Sequence, residues 1–235
     1  LNTLLRPEAA GARLAYALGI NLLVGVGFSG YVLRKFFQKG VGTVERSGFE
    51  FGWRTLFAVA AGLVLGGGLY AVQGAPSWHP VVLANAFAQV LVVSTAEVLV
   101  CWAVVGNVVR ESVGGRHRIV GILVASVVAS ALFGVYHFAH SPPFNTWSMV
   151  GLLSVVGLLT SAFYFVSRDI WGTIVFHNTL GVYGVVDALA RQDALGPFET
   201  VVPPLFITAT LTVAALAAVQ AWLRHREGTT QPRSD

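Results

Sequence analysis

The stretch Ser94-Thr95-Ala96-Glu97-Val98-Leu99-Val100-Cys101-Trp102 decides the fold, because it sets one acidic residue inside an apolar run from about Val81 to Val109. About 20 apolar residues cross the hydrocarbon core as a helix, so the run reads as membrane-spanning. A carboxyl group at that depth costs on the order of 3 kcal/mol, and such a residue faces the bundle interior with a partner. His137 and His177, each on a later apolar run, are the candidates.

Composition supports a membrane protein throughout. Of 235 residues, 55% are hydrophobic and 11% charged, against about 25% charged in average soluble domains. The charges sit in short clusters between long apolar runs, the pattern of a polytopic helical bundle. The net charge of +4 reflects Lys and Arg in cytoplasmic loops and carries no nucleic-acid reading. One cysteine, Cys101, excludes an internal disulfide. The first residues, with Arg6, Glu8 and Arg13, do not read as a signal peptide. No fixed-period repeat or low-complexity segment is evident.

The expected fold is all-α, a bundle of about seven transmembrane spans at roughly 14–33, 55–73, 81–109, 119–140, 148–166, 170–189 and 201–223. Span three is long enough to be tilted or broken. Basic residues follow spans one, three and five, and Arg224, Arg226 and Arg233 close the chain. The positive-inside rule then puts the N-terminus outside and the C-terminus in the cytoplasm, in the cell membrane. Three regions are expected: N-terminal spans at 1–80, a core carrying the candidate site at 81–190, and a last span with its tail at 191–235, polar and disordered from Arg226. The connection from Arg34 to Trp53 reads either as an amphipathic segment on the inner leaflet or as an ordinary loop.

Steps of 100° per residue place same-face neighbours. Ser126, Ser130, Phe133 and His137 share one face of span four, and Thr173, His177, Gly181 and Gly184 one face of span six. Val175, Val182 and Val186 on the opposite face of span six suit lipid. Small residues let helices approach closely. Three helices thus each present one ionisable group among small or polar neighbours. His140, beside Ser141 and Pro142, reads as an interfacial residue. A carboxylate and an imidazole sharing a water can deprotonate it for attack on a carbonyl, and a second imidazole or an amide can stabilise the oxyanion. One Glu and two His also form a plausible zinc set. The residues alone leave both readings open.

These residues resemble the CPBP family of intramembrane proteases, the CAAX and bacteriocin-processing enzymes. Its marks are Glu-Glu-x-x-x-Arg, then Phe-x-x-x-His, then His-x-x-x-Asn or Asp, on successive membrane helices. Phe133-Gly134-Val135-Tyr136-His137 matches the second, and Trp171-Gly172-Thr173-Ile174-Val175-Phe176-His177 resembles the approach to the third. The first motif keeps one acid, Glu97. Taken as the second Glu, it leaves Ala96 for the first and Cys101 for the Arg; taken as the first, it leaves Val98 and Trp102. Four residues after His177 stands Gly181, with Asn178 adjacent to the ring as an imperfect substitute.

The resemblance implies an intramembrane endopeptidase that hydrolyses a peptide bond with a Glu/His-activated water. Its catalytic residues would be Glu97, His137, His177 and Asn178, and its substrate a peptide or lipidated protein within the membrane lipid. The glutamate-type reading needs no cofactor, and the metalloprotease reading uses zinc. Because the first and third motifs are incomplete, the alternative is an inactive relative that binds a membrane peptide or partner. Gly27-Phe28-Ser29-Gly30 has the rhomboid Gly-x-Ser-Gly form, but on the first span, where rhomboids do not carry it. No half-to-half symmetry supports a transporter. Counted from the flanking arginines at 1.5 Å per residue, Glu97 lies about 20 Å deep, His177 about 14 Å and His137 about 28 Å. On that count His137 stands too far out to converge tightly with the other two, unless span four is tilted or starts deeper in the cytoplasm.

Overall fold

The computed structural model describes residues 14–114, 117–140 and 144–227. Among these there is no strand, and seven helices are long and apolar enough to cross a membrane. They are α1 (Leu14–Gln38), α2 (Trp53–Val72), α3 (Pro80–Gly114), α4 (Arg118–Ala139), α5 (Trp147–Ser167), α6 (Ile170–Arg191) and α7 (Pro203–Glu227). The chain is a multi-pass membrane protein, and each expected span has its helix. Its tail is helical through Glu227, and residues 228–235, like Ser141-Pro142-Pro143, lie outside the described residues.

Local sequence sets the ends that matter for the site. Pro80 opens α3 at its first turn, where a missing N–H costs nothing. Thr146 caps α5 by accepting from the Met149 amide at 3.3 Å. At the other end of α5, Arg168 adopts a left-handed conformation, φ 50°. The chain therefore turns at once into Asp169, whose carboxylate accepts the Gly172 amide at 2.7 Å and caps α6.

Helix α3 is one continuous rod of 35 residues, about 52 Å long against a hydrocarbon core of about 30 Å. It is therefore tilted or projects beyond the membrane, and it is not broken. Its winding changes immediately after Glu97: Val98–Gly106 follows the wider i→i+5 pattern, a feature that gathers at functional sites. A count at 100° per residue fails beyond that point.

Helix α6 sits at the centre, against α2, α3 and α5. The expectation that Val182 and Val186 face lipid is corrected. Both are buried, in an apolar cluster with Tyr70, Val82, Phe198 and Leu205. A helix apolar on every side belongs inside a bundle, and α6 is surrounded. The other cluster gathers Leu99, Trp102, Phe133, Tyr164 and Ile174 around the candidate site. Close approach depends on small residues: a Cβ on Gly66 would strike Thr179, one on Gly25 would strike Ala96, and one on Gly157 would lie 2.9 Å from the Ser130 Cα.

The connection from α1 to α2 is neither a leaflet-bound helix nor a free loop. Phe49 and Val44 are buried in the apolar core, the Ser47 carbonyl accepts from Tyr164 Oη at 3.1 Å, and the Gly48 carbonyl accepts the Ile170 amide at 3.0 Å. The segment plugs the end of the bundle where α5 turns into α6.

Candidate active site

Three of the four residues singled out in the sequence meet. Glu97 on α3 directs Oε2 to His177 Nε2 at 3.2 Å and Oε1 to His137 Nε2 at 3.9 Å. The glutamate side chain is 11% exposed and the two imidazoles 10% and 4%, so the cluster is inside the bundle. Asn178 is not brought to it. Its Nδ2 donates to the Phe87 carbonyl at 3.1 Å, and that is its hydrogen bond among the described residues. Its Oδ1 is buried without a partner among the described residues.

The depth count that held His137 apart does not hold, since its ring faces the same carboxylate as His177.

Hydrogen bonds to the far nitrogens fix the rings. His137 Nδ1 donates to the Phe133 carbonyl at 2.7 Å. His177 Nδ1 lies 2.9 Å from Thr160 Oγ1, whose own hydrogen goes to the Val156 carbonyl at 3.1 Å. A carbonyl can only accept, and a hydroxyl that has given its hydrogen can only accept. Both Nδ1 atoms therefore carry hydrogen, and both Nε2 atoms face Glu97. The hydrogen bond between His177 Nε2 and Oε2 then requires one proton shared by the pair. The 3.9 Å gap on the other oxygen exceeds a direct hydrogen bond.

Aromatic rings wall this group. His177 lies between Trp102 and Phe133, with centroids at 5.2 and 4.9 Å. Phe133 also meets His137 edge-on at 4.7 Å. Trp102 is five residues after Glu97, and the i→i+5 winding returns it to the same side of α3, where Nε1 donates to Ser161 Oγ at 2.7 Å. In the reading with Glu97 as the first acid of its motif, Trp102 stands where the family has arginine. On the other reading Ala96 would replace an acid, and Ala96 is packed against Gly25 of α1, with no room for a carboxylate.

Two contributions escaped the sequence reading. The first is α5, which supplies Thr160 to His177, Ser161 to Trp102, and Tyr164 to Asn107 Nδ2 at 2.6 Å. Its signal was present: Gly157, Thr160, Ser161 and Tyr164 recur at i, i+3, i+4 and i+7. The second is His140, read as interfacial. It stacks on His137 at 4.8 Å between centroids, and its Nε2 is buried with no partner among the described residues. Burial first, then the His137 ring, hold its imidazole below the ordinary value. One ligand atom each of Glu97, His137 and His140 lies within 4.8 Å of the others.

A family model for type II CAAX prenyl endopeptidase Rce1-like proteins matches residues 79–182. The matched segment runs from the turn before α3 well into α6 and contains the whole cluster. That match supports a likeness to the CPBP family. No curated protein and no solved structure matches the chain. The matched segment supplies Glu97, His137, His140 and His177, while α1 and the plug of the first connection lie outside it.

Proposed function

We propose that the chain is an intramembrane endopeptidase of the CAAX prenyl protease type, which hydrolyses a peptide bond with a water activated by Glu97. One observation carries the reading: a carboxylate inside the bundle whose two oxygens each face the Nε2 of a different, tautomer-fixed histidine.

The two oxygens divide the work. A water about 2.8 Å from both Glu97 Oε1 and His137 Nε2 would bridge the gap between them. Its proton passes to Nε2 or Oε1 as its oxygen attacks the scissile carbonyl. The proton shared by Oε2 and His177 Nε2 lies on the opposite side of the same carboxylate. As imidazolium, His177 keeps Nε2–H on Oε2 and sets a positive charge beside the site where the oxyanion develops. Collapse expels the amine, which takes the proton drawn from water. In the metal-dependent form of this chemistry, a zinc-type ion would polarise the carbonyl.

The substrate class expected from the family is a peptide at the membrane, prenylated or a leader. The site faces the cytoplasm if basic loops fix the orientation. A second reading keeps the fold without the chemistry: Trp102 in place of an arginine and Asn178 turned to Phe87 favour a relative that binds a membrane peptide and does not cut it. Purified protein in detergent, offered prenylated and leader peptides, separates the two. Cleavage by the wild type and its loss in Glu97→Gln support the peptidase. Peptide binding by both proteins with cleavage by neither supports the binder.

A further inference from the structure

We infer that Glu97, His137 and His140 form a binding site for a divalent transition ion of the zinc class, with His177 outside the ligand set. The inference rests on the same cluster as the proposed peptidase but assigns its metal to a different trio from Glu97, His137 and His177.

The carboxylate is the point of division. Oε2 is engaged with His177 Nε2 at 3.2 Å, a direct hydrogen bond that leaves no space for an atom between them. Oε1 is 3.9 Å from His137 Nε2, without a hydrogen bond. A tetrahedral site with bonds of about 2.1 Å sets its donors roughly 3.4 Å apart. The gap on the Oε1 side is thus about half an ångström wider than such a site, and wide enough to admit an ion.

The donor chemistry agrees. His137 commits Nδ1 to the Phe133 carbonyl, the arrangement by which ligating histidines fix their tautomer and sharpen the other nitrogen. His140, three residues on, stacks against it across a single 3-10 turn at His137–Ala139. Its buried Nε2 has no partner among the described residues, and an orphaned buried nitrogen calls for a ligand. The three donors lie within 4.8 Å of one another, against the roughly 3.4 Å of a tetrahedral site. The widest pair must close by up to about 1.4 Å on binding, a shift of the kind a side chain at the helix end His137–Ala139 makes more easily than one in a helix interior. Two imidazoles and a carboxylate select zinc and its first-row neighbours over calcium or magnesium, which take oxygen.

The test is metal binding by the full chain in detergent, measured without substrate. Metal-free protein is titrated with Co2+ and then Zn2+, following the visible absorption of Co2+ and the bound metal per chain. The expected result is one ion per chain, with affinity weakened more than about 10-fold in both His140→Ala and His140→Gln. His177→Ala should retain the ion and its spectrum. Helical content and a monodisperse elution profile are recorded for each variant, and the milder Gln variant serves where Ala does not fold. Binding lost in His177→Ala and kept in both His140 variants would overturn the assignment, as would a wild type that binds no ion. Because the readout needs no cleavage, an inactive protein that holds its ion sinks the peptidase and leaves this site standing. An active protein that binds none does the reverse.

Discussion

The two sides of Glu97 are built to different standards. On the His177 side every polar atom has a partner: Nδ1 with Thr160, Thr160 with Val156, Nε2 with Oε2. The ring sits mid-helix between Trp102 and Phe133. On the His137 side the carboxylate oxygen stops 3.9 Å short, the ring stands at the end of α4, and His140 keeps an orphaned nitrogen. Both rings are held by their far nitrogens, so the difference lies at the carboxylate: the Oε2 side is closed by a hydrogen bond, and the Oε1 side is open.

The largest effect belongs to the residue both sides share. Glu97→Gln should lower peptide cleavage by about 10^2- to 10^4-fold, with helical content unchanged. A variant that cleaves within a few-fold of wild type would remove Glu97 from the chemistry altogether.

Next in size is a change that invades the closed side of α3. Ala96→Glu restores the paired acids of the family motif, but the new side chain meets Gly25 of α1. Overpacking and an unpaired buried charge together should cost on the order of 3 kcal/mol. The expected readout is a lowered thermal midpoint or aggregation in detergent. A well-folded Ala96→Glu with improved cleavage would show that α1 yields, and that the site tolerates the second acid.

A smaller effect tests the His177 side by itself. Thr160→Val removes the acceptor of His177 Nδ1–H and should lower kcat by about 10-fold with KM little changed. Thr160→Ser should recover most of it. Equal losses in Val and Ser would reduce Thr160 to a packing residue.

The bundle was legible in the sequence because a membrane leaves few alternatives: long apolar runs must be helices, and charges must gather between them. The meeting of Glu97, His137 and His177 was legible because each is an isolated ionisable group in an apolar helix. Three things were hidden. The winding of α3 changes after Glu97, so a regular count could not bring Trp102 back to the site. The lipid face given to Val182 and Val186 followed from one helix considered alone, whereas α6 has neighbours on all sides. The role of α5 was hidden by its lack of charge, although its small and polar residues keep helical spacing. Asn178 was chosen for being next to His177 in sequence, and 100° around the helix took it to Phe87.

The smallest expected effect concerns what holds the His177 side at the right height. Asp169 starts α6 eight residues before His177, 3% exposed, accepting from Thr55 Oγ1 at 2.6 Å and from the Gly172 amide at 2.7 Å. Burial holds its carboxyl above the ordinary value of 3.8, with the Gly172 and Thr55 hydrogen bonds pulling the other way. A raised carboxyl favours the fold most when protonated. That contribution is fully present below the ordinary value and is lost as the pH rises through the raised one. Asn caps a helix about as well as Asp and carries no charge at any pH. Asp169→Asn should therefore match or slightly exceed wild-type stability at neutral pH, by less than about 1 kcal/mol, and the gap should close as the solution is acidified. Asp169→Ala, which also loses the cap, should cost about 1 kcal/mol and lower cleavage by loosening the His177 helix. Thermal midpoints of the three proteins at acid and neutral pH decide it. A parallel course for wild type and Asp169→Asn would mean that the carboxyl is not perturbed in the folded protein, and that α6 is anchored by the Gly48 to Ile170 backbone bond instead.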